Sequence, residues 1–253
     1  MSFGPIVHQD DKPRWFRRVV RRDPPGREPG PLTWRPAQLW ATLRSHLGLR
    51  REALEGPIDS AEALGQFLDE RASFLAQTSL YGYLQTRAGM RYPELFEDDE
   101  FVVSINVAKW QLWLDCLSDL AVYAGSRIAQ HRPDETPRIG HAMTLVVDQV
   151  LDRTGTPKEA GPDFATHAMR VRDRVARTDW LAVGVGEAAF TESPAGIVRW
   201  APVKDELKVL DEEIVRNSVR FRWQAVRREL AEQMRLQPLV QSLTAQSTSS
   251  RPR

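Results

Sequence analysis

Two segments decide the fold: SAEALGQFLDERASFLAQTSLYGYLQTRAG, residues Ser60–Gly89, and EFVVSINVAKWQLWLDCLSDLAVYAGSRIAQH, residues Glu100–His131. In the first, apolar side chains recur at helical spacing as Ala61, Leu64, Phe67, Leu68, Ala72, Phe74, Leu75, Tyr81 and Leu84. The second repeats the pattern from Phe101 through Ile105, Leu112, Leu117 and Tyr123 to Ile128. Each half is about 30 residues, or about 45 Å at about 1.5 Å per residue. Joined by the short break Arg91–Asp99, they predict a long antiparallel helical hairpin, about 60–131, against which the rest of the chain packs. The fold class expected is all-α, a single bundle-like domain.

The second helix is apolar around most of its circumference, with Trp110 and Trp113 in addition to the main stripe, so it should be central. Asp59 or Ser60 offers an N-cap to the first helix. Glu94, Glu97, Asp98, Asp99 and Glu100 bring negative charge to the start of the second, where the helix dipole favours it.

Outward from the hairpin, Pro36 to Gly48 reads as a short helix with Leu39, Trp40, Leu43 and Leu47 on one side. Beyond it, helices are expected at Ile139 to Asp152, about Pro162 to Trp180, and Val203 to Gln237. In the last of these, Val203, Leu207, Leu210, Ile214 and Phe221 form a stripe that passes over to Trp223, Val226, Leu230 and Met234. The Gly184-Val185-Gly186 connector lacks the third glycine of a dinucleotide fingerprint. The domain division is therefore a Pro- and Arg-rich leader over 1–36, a helical domain over 37–238, and a Ser/Thr/Gln-rich tail over 239–253 expected to be disordered.

Composition narrows the function classes. Apolar content of 42% and charge of 27% are those of a globular protein, and a formal net charge of +1 argues against a dedicated nucleic-acid binder. The lone Cys116 excludes a disulfide within the chain and a cysteine zinc site. No apolar run reaches the length of a membrane span and no secretory signal opens the chain, which points to the cytoplasm. Arg greatly outnumbers Lys, a composition expected of a GC-rich bacterial genome.

Three groups of residues could carry a function. The leader holds Arg14, Trp15, Phe16, Arg17, Arg18, Arg21 and Arg22, cations interleaved with bulky apolar groups, suited to an anionic membrane surface or a partner protein. The end of the first long helix gathers Tyr81, Tyr83, Arg87, Arg91 and Tyr92 around Gly82 and Gly89, an aromatic and cationic surface of the kind protein partners use. Finally, Asp115 with Asp119, and Asp148 with Asp152, each put two carboxylates one turn apart on a helix face. Facing each other, they could hold Mg²⁺ and a diphosphate, since carboxylates and substrate phosphates together are how that ion is usually held.

Other chemistry is missing from the sequence. No His-Glu-x-x-His, Glu-x-x-His, Gly-x-Ser-x-Gly, Ser-x-x-Lys or Walker loop occurs. Arg170, Arg174 and Arg177 share a face and give nucleic-acid binding a third place. The expectation is thus a non-enzymatic cytosolic adaptor or assembly factor that binds a protein, with peripheral contact at the membrane surface open to it through the leader, and that needs no cofactor. The alternative is an all-helical Mg-dependent enzyme acting on a diphosphate through the two Asp pairs.

Overall fold

The computed structural model describes residues 56–184 and 186–249. The leader, with Arg14 to Arg22, and the short helix expected from Pro36 to Gly48 lie outside the described residues. Eight α-helices follow in order: α1 Ala61–Ala88, α2 Asp99–His131, α3 Thr136–Thr154, α4 Phe164–Ala176, α5 Trp180–Val183, α6 Glu192–Trp200, α7 Asp205–Gln233 and α8 Leu236–Ser249. No strand occurs among the described residues, and the fold is all-α.

The hairpin is α1 and α2, and its ends are set by local chemistry. Ser60 caps α1 by accepting a hydrogen bond from the Ala63 N–H at 3.2 Å. Gly89 ends the helix at φ +55°, a left-handed value that side-chain-bearing residues avoid. Two 3₁₀ turns, Gly89–Arg91 and Pro93–Glu97, make the tip. Asp98 then caps α2 through the Glu100 and Phe101 N–H groups, with Asp99 and Glu100 in the first turn. The acidic tip therefore serves the helix start.

Helix α2 is the axis of the molecule. From Gln111 to Ser126 every residue is buried, because α1, α3, α4, α5 and α6 all pack on it. Trp180 of the four-residue α5 is driven between α2 and α3 at two glycines. A Cβ on Gly125 would lie 2.2 Å from its ring, and one on Gly140 2.6 Å from its Nε1. Gly82 and Gly89 of the hairpin end are not sites of such close approach: a Cβ on Gly82 would meet only the tip of Arg222, and one on Gly89 nothing.

The second half departs from expectation in three places. Residues Glu192–Trp200, which fall between the expected helices, form α6. Pro194 is tolerated there because it sits in the first turn, where no intrahelical N–H bond is lost. The long last helix is divided: Met234 is extended at φ −66°, ψ 125°, and Arg235 and Gln233 exchange backbone hydrogen bonds with Ile58 at 2.9 Å each. The tail expected to be disordered continues as α8, burying Leu239, Val240 and Leu243 against α3 and α1. That apolar triplet outweighs the polar composition around it.

The fourth departure concerns which way α7 faces. Its buried residues are Lys208, Val215, Val219, Trp223, Val226 and Leu230. The expected stripe of Leu210, Ile214 and Phe221 points the other way. Among the described residues, no helix is long and apolar enough to cross a membrane.

Candidate functional site

Four polar residues on successive turns of α2, namely Gln111, Asp115, Ser118 and Asp119, lie with almost no exposure where α2 meets α4 and α6. Unpaired, such groups would cost several kcal/mol each, ~1–3 when neutral and more when charged. Each is paired.

Asp119 completes α6. Thr191, the residue at the start of that helix, makes no capping bond with its own side chain. Instead Asp119 Oδ1 accepts from the N–H groups of Thr191 (3.2 Å) and Glu192 (3.1 Å), while Oδ2 accepts from Ser193 N–H (2.8 Å) and Oγ–H (2.6 Å). Arg174 of α4 donates to Oδ1 at 2.7 Å, and also to Ser118 Oγ, the Ala189 carbonyl and Thr191 Oγ1. Trp223 of α7 closes the cluster by donating to Ser193 Oγ at 2.9 Å. One carboxylate thus joins α2, α4 and α6 and supplies the negative charge that a helix start favours. Its roughly four lone-pair positions are filled.

Asp115, one turn earlier, meets His167 and Trp200. Nε2 of His167 lies 3.0 Å from Oδ1, and Trp200 Nε1 donates to Oδ2 at 3.2 Å. The other ring nitrogen, Nδ1, lies 2.7 Å from Gln111 Oε1, whose amide is oriented by its Nε2 donating to the Ala160 carbonyl. Gln111 therefore accepts, so Nδ1 carries a hydrogen. Gly196 of α6 leaves room for this carboxylate, since a Cβ there would lie 2.0 Å from Oδ2.

Burial pushes both carboxyls up from the ordinary Asp value. The His167 bond opposes it at Asp115, and Arg174 with Ser193 oppose it at Asp119. Burial also holds the Cys116 thiol well above its usual range, reinforced by the two carboxylates beside it. What this arrangement does chemically is to fasten helices.

The other Asp pair is apart from it. Arg172 spans Asp148 (2.7 Å) and Asp152 (2.8 Å) at the surface between α3 and α4. Among the described residues, no group of three or more His, Cys, Asp or Glu side chains is placed to hold a metal ion. The spacing argument put each pair on one helix face correctly, but one pair is committed to α6 and Arg174, the other to Arg172. A shared Mg²⁺ and diphosphate site is not what these positions provide.

At the hairpin end the aromatic and cationic residues divide by role. Tyr83 donates to Asp211 Oδ2 of α7 at 2.9 Å, and Arg87 grips the same carboxylate with both Nε and Nη2, the latter 2.6 Å from Oδ1. Tyr81 is half-buried, which pushes its hydroxyl up to about 12. Tyr92 is half-buried with its ring edge-on to Phe96 at 5.2 Å, and burial raises its hydroxyl as well. Only Arg91 is largely free of the core, pairing with Glu94 at 3.2 Å. These residues pin α7 to α1. Of the basic face on α4, Arg174 is consumed by Asp119, leaving Arg170 and Arg177 exposed.

The surface that sequence reasoning misplaced is the outer side of α7. Val209, Leu210, Ile214 and Phe221 are exposed by 75%, 74%, 75% and 72%. Two apolar stripes run along this helix, and the bundle covers one of them. The expected stripe holds from Trp223 through Val226, Leu230 and Met234, and the signal for the rest was present in the sequence as Val215 and Val219, which carry the same spacing back toward the start of the helix. No protein-family model, no curated protein and no solved structure matches this chain.

Proposed function

We propose that this chain is a non-enzymatic helical scaffold that works by holding another polypeptide, with the outer face of α7 as the holding surface. The observation that supports this reading is the row Leu210, Ile214 and Phe221, each about three-quarters exposed on a helix whose opposite side is packed. Large apolar side chains exposed singly are ordinary, but several aligned along one face of a long, anchored helix mark an interaction surface. The partner that suits it is an amphipathic helix with apolar residues at three- and four-residue spacing.

The anchoring supports the same reading. Asp211 is held by Tyr83 and Arg87, and Arg71 of α1 pairs with Glu229 near the other end of α7. A rigid helix loses little conformational entropy when a partner arrives. The carboxylates that an enzyme reading needs are engaged internally, so no specific observation favours it.

The test is a photo-crosslinking amino acid introduced into the full chain, in cells, at position 214 or 221, with 103 and 169 as exposed controls on α2 and α4. Protein adducts are expected at 214 and 221 well above those at 103 and 169. Equal yields at all four positions would remove the reading.

A further inference from the structure

The outer face of α7 carries more than apolar groups. Leu210, Ile214, Asn217 and Phe221 follow one another at intervals of four, three and four residues, a line that a partner helix can pack along as in a short coiled-coil seam. The charges beside the seam are segregated along the helix. Its first half presents Glu206 and Glu213, and its second half Arg220 and Arg228, all exposed, with Glu232 exposed beyond them in the last turn. Between Glu206 and Arg228 the seam is thus acidic at one end and basic at the other.

We infer that the occupant of this face is a second copy of this chain, paired through α7 in antiparallel orientation about a twofold axis. This rests on the reading of α7 as a holding surface and specifies its partner. A twofold contact must be self-complementary, because each patch meets its own image. With Leu210 opposite Phe221 of the other copy, Ile214 falls opposite Asn217, and the flanking positions bring Glu213 beside Arg220 twice over. The ends bring Glu206 toward Arg228. In a parallel pairing the acidic halves would meet each other and so would the basic halves, which costs free energy instead of contributing it.

The inner carboxylate of α7 does not compete for these roles. Asp211 faces α1 and is taken by Tyr83 and Arg87. Arg220 reaches along the seam and donates to Asn217 Oδ1 at 3.0 Å, which places its guanidinium beside the apolar row. A seam of this length is small by the standard of permanent dimers, so the pairing is concentration-dependent.

Sedimentation of the full chain over the micromolar range tests this. A monomer–dimer equilibrium is expected, and Ile214→Asp should leave only monomer with an unchanged circular dichroism spectrum. Glu213→Arg and Arg220→Glu should each raise the dimer Kd by about tenfold, since the twofold axis counts each pair twice. The doubly exchanged chain should recover the original Kd. Orientation is read separately by oxidising cysteine variants, with the buried Cys116 silent. A mixture of Leu210→Cys and Phe221→Cys chains should form the mixed disulfide dimer, and neither variant alone should. Disulfide dimers of each variant alone, without the mixed species, would overturn the antiparallel arrangement. A monomer at every concentration, with crosslinks from position 214 to a different protein or within the same chain, would overturn self-pairing. Of these, only the crosslink to a different protein leaves the holding-surface reading standing. Equal crosslinking at 214, 221, 103 and 169 would remove both.

Discussion

At Asp119 a single side chain holds the start of one helix, a cation from a second and the middle of a third. Removing it leaves the Arg174 guanidinium without its counter-charge and three N–H groups at the mouth of α6 without their acceptor. Loss of one partner from a buried ion pair costs about 3–5 kcal/mol. Urea denaturation should therefore show Asp119→Ala destabilised by that amount, while Asp148→Ala, which breaks a partly exposed pair with Arg172, costs under about 1 kcal/mol. Equal losses would show that α6 does not depend on its borrowed cap. The sequence made the Asp115 and Asp119 register plain, because a helical face follows from spacing alone. It could not disclose what lay across from that face. Arg174 comes from a helix more than fifty residues later, and Thr191 to Ser193 read as a loop until another element supplied the cap.

Among elements, α1 and α2 were the most legible and α7 the least. Ser60, Gly89 and Asp98 fix the hairpin by local capping, so the segment carries its own boundary instructions. At the end of α7 the local signal is Pro238, whose ring would meet the Met234 carbonyl in a continuous helix and which sits instead in the first turn of α8. The backbone bonds to Ile58, remote in sequence, then hold the break. The first half of α7 was misread for a different reason: Leu210, Ile214 and Phe221 are as apolar as Val215 and Val219, and the contacts that hold the second pair inward, Asp211 with Tyr83 and Arg87 and Glu229 with Arg71, come from α1. A double-mutant cycle on Arg87→Ala and Asp211→Ala should give a coupling of about 1 kcal/mol. The geometry is bidentate but the arginine is about a third exposed. A coupling indistinguishable from zero would mean that α7 is oriented by its buried apolar side alone.

Taken whole, the molecule stores an alkaline weakness in its hairpin end. Burial raises the hydroxyls of Tyr81, Tyr83 and Tyr92 above the ordinary value near 10, Tyr81 to about 12, with Asp211 adding to the effect at Tyr83. The folded chain therefore binds these protons more tightly than the unfolded chain does. Stability is constant below about pH 10 as far as these groups are concerned, and falls as pH rises through the window from about 10 to about 12. Each tyrosine contributes a slope of about 1.4 kcal/mol per pH unit inside its window. Phenolate absorbance followed together with circular dichroism should show these tyrosines ionising late and with loss of helix. Early, reversible ionisation of all of them without unfolding would contradict the burial.

Trp180 inserts where Gly125 and Gly140 leave space, on helices α2 and α3 that reach it from different parts of the chain. The three positions therefore form one unit of inheritance. Any side chain arriving at residue 125 must evict the indole, and a smaller residue at 180 leaves a void that only a gain of bulk at 125 or 140 can fill. In descendants of this sequence these three letters have to change in concert or remain as they are.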